Sequence, residues 1–209
     1  MQIKINLQIF LFIIIFILTH QIEIYSYIML FAFIHEIGHM LAGIILKLKP
    51  KSLNLMPFGV SVTFEDYTYK KLIEIKKIVI ALAGPLTNII IAILGIIFNF
   101  KEIIIYSNIL ISLFNLIPLY PLDGGRILKG VIRIKLNKEE ADNIINKISN
   151  ILIILFTAIS SIAILYLKNI AIVFILVYLW IIIIKENKKY RIKKMMYDVL
   201  QKNTKNIDI

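Results

Sequence analysis

Runs of about 20 apolar residues recur along this chain, and in lipid a run of that length can satisfy its backbone polar groups only as a helix or within a closed barrel. Six runs qualify: about 7–25, 26–46, 78–98, 102–118, 148–167 and 169–185. The first is interrupted near its end by Thr19, His20, Gln21 and Glu23, and the sixth, running through Trp180 to Ile184, is the cleanest. Hydrophobic residues make up 59% of the 209 and charged residues 18%, which removes the chain from the soluble globular and the disordered classes together. It contains no cysteine, so disulfides, thiolate metal sites and thiol catalysis are excluded. Lys4 ahead of an apolar run imitates a secretory leader, but no small-x-small site follows Leu18 and further apolar runs come after it, so a retained span is expected.

The net charge of +11 is first a topology signal. Lys4, seven Lys in 47–77 (among them Lys70 and Lys71), six Lys or Arg in 119–147 and eight in 185–209 fall on one face of a six-span layout, leaving only Lys101 and Lys168 on the other. The positive-inside rule then puts both termini and both long loops in the cytoplasm. The Lys and Arg residues follow this topology without aromatic interleaving, which speaks against a nucleic-acid surface. Residues 52–64 alternate loosely around Pro57 and Gly59 and read as a short hairpin. Asn137, with Glu139 and Glu140 behind it, reads as the cap of a short polar helix over 137–148 that leads into the fifth span. The expected fold is an all-α polytopic membrane protein of six transmembrane helices with a small membrane-associated β-hairpin near 52–64. Residues 1–185 form one domain and 186–209 a short basic cytoplasmic tail.

Inside the second run, His35-Glu36-Ile37-Gly38-His39 has the pattern His-Glu-x-x-His. On a helix the two imidazoles, four residues apart, share one face and can hold one zinc ion, with the Glu as general base toward the attacking water. Given this chain's own His and Glu content, chance would produce the pattern about once in six hundred such sequences. Ionisable groups within a bilayer cost at least ~2.5 kcal/mol each and usually mark function; the competing reading is a polar cluster that glues helices together. A catalytic zinc takes three protein ligands and leaves one position open. His20, the only other His, falls on the opposite face and reads as an interfacial polar residue. Asp123 is the candidate third ligand, in Asn115-Leu-Ile-Pro118-Leu-Tyr-Pro121-Leu-Asp123-Gly124-Gly125, where two prolines and two glycines enforce irregular backbone. Its alternative is a plain Asp-Gly turn.

These motifs resemble the site-2 protease family of intramembrane zinc metalloproteases: His-Glu-x-x-His in an early span, Asn-x-x-Pro-x-x-Pro-x-Asp-Gly later, and Ala83-Gly84-Pro85-Leu86-Thr87-Asn88 between them, like the family's Gly-Pro-x-x-Asn. The resemblance covers most of residues 27–135. It implies that His35, His39 and Asp123 bind one Zn2+, that Glu36 is the catalytic base, and that Asn115 binds substrate or polarises its carbonyl. The stretch 55–64 and the six-span layout look most like the sporulation branch that processes pro-sigma-K in endospore-forming bacteria. That likeness implies a membrane-associated pro-protein as substrate, inhibitory membrane proteins as partners, and a place in a bacterial cell membrane, the one around the forespore among them. No CBS or PDZ domain is expected in this chain. Two other functions stay open on the residues: a metal-ion transporter with His35, His39 and Asp123 as its permeation site, and a non-catalytic membrane scaffold. The first lacks the repeated halves usual in transporters, and an intact Glu36 weighs against the second.

Overall fold

The computed structural model describes residues 2–56, 59–65, 69, 72–167 and 171–205. Pro57, Lys70, Lys71, Lys168 and the start of the sixth run at 169–170 lie outside the described residues. The chain divides into two compact units, residues 1–117 and 118–209.

The first unit contains β1 (Gln2–Ile5), α1 (Gln8–Leu18), α2 (Ile22–Ile45), β2 (Pro50–Met56), β3 (Gly59–Phe64), α3 (Glu74–Ile97) and α4 (Glu102–Asn115). The expected hairpin is present: β2 and β3 are antiparallel, with Leu53 opposite Val62 and Met56 opposite Gly59. It is not alone. β1 adds to β2 in parallel, pairing Gln2 with Ser52 and Ile5 with Leu55, so the sheet has three strands in the order β1-β2-β3. The chain is mostly helical, as expected, and the small β element gains a third strand. Residues 2–5, read as a stub before an apolar run, carry the alternation Gln-Ile-Lys-Ile that suits a strand.

Three helices of this unit end in the same way. His20, Lys47 and Asn99 each adopt positive φ (54°, 63° and 52°) one residue past the C-cap. In each case the next residue's N–H reaches back five positions: Gln21 to Phe16, Leu48 to Gly43 and Phe100 to Gly95. This double closure satisfies the last carbonyls of a helix before the chain reverses. His20 is therefore a helix stop, in keeping with its reading as a polar residue at a boundary. Helix α2 is central to the unit, touching α1, α3, α4, β2 and β3. Leu48, Leu53, Val62, Phe64 and Ile80 form a buried apolar cluster that joins the sheet to α2 and α3.

Close approach of α2 to α3 depends on missing side chains. A Cβ on Gly38 would stand 2.3 Å from Thr87 Oγ1 and 2.9 Å from the Ala83 carbonyl oxygen. On the other side of α2, Phe64 of β3 fills the space a Cβ on Gly43 would need.

The second unit contains α5 (Asp123–Lys135), α6 (Lys138–Leu167) and α7 (Ala171–Lys205). Helix α5 falls within the stretch 119–147 read as a loop, because glycines at 124 and 125 disguise a helix start. A Cβ on Gly125 would meet Tyr120 N at 2.4 Å, so the first turn of α5 lies against the backbone of residues 119–120, and the Tyr120–Pro121 bond is cis. The cap at Asn137 is as expected, its Oδ1 accepting the Glu140 N–H at 2.8 Å. The polar helix it starts does not stop before the fifth span; α6 is continuous from Lys138 to Leu167. Residues beyond 185, expected as a tail, continue α7 to Lys205. Amide contacts pair α6 with α7: Asn146 Nδ2 donates to Asn187 Oδ1 at 2.6 Å and Asn187 Nδ2 to Asn150 Oδ1 at 2.8 Å. Trp180 Nε1 donates to Thr157 Oγ1 at 3.0 Å.

Among the described residues, three helices are long and apolar enough to cross a membrane: Ile22–Ile45, Glu74–Ile97 and Lys138–Ile162. Helices α1 and α4, with 11 and 14 residues, are about 16 and 21 Å long at 1.5 Å per residue, short of a ~30 Å hydrocarbon core. The runs 7–25 and 102–118 overstate them because the turn at His20 and the proline at 118 end helical structure early.

The α2–α3 crossing makes a direct prediction. Gly38→Ala adds a methyl against a backbone carbonyl and should destabilise the first unit by about 1–3 kcal/mol, read as a lowered thermal unfolding midpoint in detergent.

Candidate metal centre

The centre is built on the middle of α2. His35 and His39 are 4% and 3% exposed, and Glu36 is 7% exposed. One helical turn separates the two histidines, so their rings project from the same face. The rings stand nearly perpendicular (82°), and the two Nε2 atoms are 3.1 Å apart.

Helix α3 fixes which nitrogen of each ring carries the proton. His35 Nδ1 is 2.5 Å from Asn88 Oδ1, and His39 Nδ1 is 2.7 Å from the carbonyl oxygen of Ile80. Both partners are acceptors, so both Nδ1 atoms are the donors. The Gly84 N–H, 3.3 Å from His39 Nδ1, is the weaker contact and gives way to the Ile80 carbonyl. Each Nε2 then offers a lone pair. Two imidazole lone pairs aimed at one point repel each other unless a cation lies between them. Outer hydrogen bonds of this kind are what metal-binding histidines use to set their tautomer and raise their basicity.

The Ala83-Gly84-Pro85 segment supplies the space. A Cβ on Gly84 would lie 2.3 Å from His39 Nε2 and 2.5 Å from His35 Nε2. The two imidazoles therefore pack directly against the backbone of α3 because residue 84 has no side chain. Pro85, buried within α3, removes one helical hydrogen bond and displaces the carbonyl a turn earlier. His39 takes the carbonyl beside it, that of Ile80.

Asn88 is held in turn. Its Nδ2 donates to Asn108 Oδ1 on α4 at 2.7 Å, and Asn108 Nδ2 donates to the Ile104 carbonyl at 2.8 Å. Both asparagines are fully buried. A chain of amides thus runs from α4 through α3 to His35. The Gly-Pro-x-x-Asn motif pointed to Asn88, but Asn108 went unread; its signal was a lone amide inside an apolar run, where a polar group needs a partner.

Glu36 faces a different element. Its Oε1 accepts the backbone N–H of Val62 in β3. Because β3 is the last strand of the sheet, this bond takes an N–H on the edge that β2 does not pair. The strand edge and the carboxylate are thereby joined.

His35, Glu36 and His39 are brought together in the first unit. Asn115 is the last residue of α4, and its Nδ2 donates to the Ile111 carbonyl at 3.0 Å. Asp123 belongs to the second unit. It is the first residue of α5 and 5% exposed, with Arg126 Nη1 at 3.5 Å from Oδ1. The positive end of a helix dipole favours its ionised form, the form a metal requires.

Residues 24–101 and 95–156 match peptidase family M50. Stage IV sporulation protein FB of Bacillus subtilis is 31% identical over 135 residues, which cover 60% of this chain and 46% of that protein. A zinc metalloprotease of Methanocaldococcus jannaschii is 34% identical over 110 residues, covering 47% of this chain and 31% of the relative. The chain thus spans less than half the length of these curated relatives. Among solved structures, a site-2 protease from Methanocaldococcus jannaschii superposes with a TM-score of 0.70 at 22% identity, covering 88% of this chain and 89% of its own. That likeness shows a shared fold. With matched segments running from residue 24 to residue 156 of the 209, this chain belongs to peptidase family M50.

Proposed function

We propose that the chain is an intramembrane zinc metalloprotease in which His35, His39 and Asp123 hold the ion and Glu36 is the catalytic base. The observation that carries this reading is the pair of convergent Nε2 atoms, each set by an acceptor on its own Nδ1 and admitted against α3 by Gly84. Asp123 is supported by its burial, its helix N-terminal position and the Asn-x-x-Pro-x-x-Pro-x-Asp-Gly motif that carries it. Zinc held there would lower the pKa of a water and polarise the scissile carbonyl. Glu36 then takes a proton from the attacking water and hands one to the leaving amine. The second N–H of the Asn115 amide is the donor that would meet a substrate carbonyl.

An extended substrate can pair with the outer edge of β3, beside the carboxylate. Cleavage needs a carbonyl released from its helical hydrogen bond, and strand pairing supplies an extended backbone. The Val62–Glu36 contact favours this reading of the sheet over simple surface packing.

The placement of the N-terminal segment and of the lysines of 47–77 on one face, the cytoplasmic one, draws support from the first unit. β1 pairs with β2, so Lys4 and the lysines at 49 and 51 lie at one end of the helices, while the turn carrying Lys101 follows the far end of α3. The finer reading is a membrane-associated pro-protein as substrate, processed by regulated intramembrane proteolysis: pro-sigma-K during sporulation, in the membrane around the forespore, with inhibitory membrane proteins as partners. It rests on the resemblance in residues 55–64 and on the 31% identity with a sporulation protein.

Co-expression with candidate pro-proteins tests the reading. Glu36→Gln should lower cleavage by about 10²–10⁴-fold while the purified protein keeps its zinc; undiminished proteolysis would remove Glu36 from its role. Asp123→Ala should lose both zinc and cleavage, and full zinc retention would exclude Asp123 as a ligand. Asn88→Leu should weaken zinc binding by about 10–100-fold through the lost orientation of His35, measured by competition with a chelator. Zinc flux into liposomes without peptide cleavage would favour the transporter instead.

A further inference from the structure

The second unit carries a charged cluster that the protease chemistry does not use. Asp142 on α6 is 3% exposed. Its Oδ1 accepts from Lys129 Nζ at 2.9 Å and Arg133 Nη2 at 2.8 Å, both on α5, and its Oδ2 accepts from Lys193 on α7. One carboxylate can neutralise one of these three cations. Beside the cluster lies a cavity of about 210 Å³, into which Lys129, Lys189 and Lys193 are set together with Tyr190, Asn146 and Ser149. The second carboxylate on its wall, Glu186, is engaged with Lys189 at 2.5 Å. Three lysines therefore line the cavity, Lys189 at its exposed rim, against two carboxylates, one of which also carries Arg133, and the surplus is positive. Burial, reinforced by repulsion from Arg133 and Lys193, holds the Lys129 ammonium below its usual pKa despite Asp142. An anion in the cavity would relieve that strain.

The cavity also has a defined place along the helices. Its floor includes Ile145 and Ile183. Beyond it α6 becomes apolar from Ile151 onward, and α7 changes from the apolar run ending at Ile184 to the basic run starting at Lys185. Polar-to-apolar borders of spanning helices lie at the depth of lipid phosphates, and basic pockets there suit anionic headgroups. Lysines give point charges, while the Tyr190 hydroxyl, which donates to Asn143 Oδ1 at 3.2 Å, and the Asn146 amide, which donates to Asn187, are neutral donors for which a bound phosphate would compete.

We propose that this cavity between α5, α6 and α7 binds a phosphate ester, supplied by an anionic phospholipid headgroup or by a soluble phosphate. The site does not depend on the metal chemistry, so its fate and that of the protease reading are separable.

The test uses the full chain, with phosphatidylglycerol in phosphatidylcholine nanodiscs in one arm and inorganic phosphate in detergent in the other. Native mass spectrometry counts bound lipid, and thermal unfolding reports phosphate. Lys189→Gln with Tyr190→Phe leaves all three partners of Asp142 in place and should weaken binding by about tenfold. Lys188→Gln with Lys194→Gln removes two exposed charges from the same helix outside the cavity, and should change it by less than about twofold. Retention of phosphatidylglycerol in the wild type, lost in the first variant alone, supports a lipid occupant. Stabilisation by inorganic phosphate, lost in the same variant and without lipid retention, supports a soluble one. Equal losses in the two variants, or no binding of either probe, overturns the proposal.

Discussion

The structure of the candidate centre depends on two hydrogen bonds that do not touch the metal position. His35 Nδ1 donates to Asn88 and His39 Nδ1 donates to the Ile80 carbonyl. Without them each ring could take either tautomer and rotate about its own axis. With them, both Nε2 atoms turn to one point. An arrangement of lone pairs 3.1 Å apart is unfavourable in an apolar interior. It persists in a fold only where something of opposite charge belongs between them. The same bonds also meet the polar demand of two rings set in an apolar helix, so the metal function and the burial problem have one solution.

That solution requires α2 and α3 to approach closely, and the approach is written in small residues. Gly38 admits Thr87 and the Ala83 carbonyl, and Gly84 admits the imidazoles. Where lipid replaces water, apolar attraction between helices is weak, and contact of backbones at glycine is a main source of packing energy. The glycine within His-Glu-x-x-His thus belongs to the helix crossing, while the histidines on either side of it belong to the candidate metal centre. Chemistry and packing are interleaved on one turn, which is why the two motifs must occur together to be useful.

His35, Glu36 and His39 were legible because their spacing is a property of a single helix, and helical geometry is local. The hairpin was legible for the same reason: its strands are adjacent in sequence and bounded by Pro57 and Gly59. What escaped was non-local. β1 is four residues whose strand state is fixed by pairing with residues 52–55, fifty positions away. Asn108 reads as an isolated amide until Asn88 is set beside it. Helix α5 was hidden by two glycines that disfavour helix in isolation but permit its close approach to residues 119–120. The six-span expectation rests on apolar length and on the Lys and Arg distribution, and neither reveals that α1 stops at a left-handed His20 or that α4 stops at Asn115.

The sheet raises a question of chemistry that the motif alone does not. A general base works only if its carboxylate is both oriented and able to accept a proton. Glu36 is oriented by a backbone N–H of an edge strand rather than by another side chain. A backbone donor is lost only by substitution with proline, and it moves only when β3 moves. Any substrate that adds to β3 must therefore act on the strand that holds the base. On the proposed reading, binding at the sheet edge and the readiness of Glu36 are coupled through one hydrogen bond, so a polypeptide too short to pair with β3 should meet a less well-oriented base as well as a weaker grip.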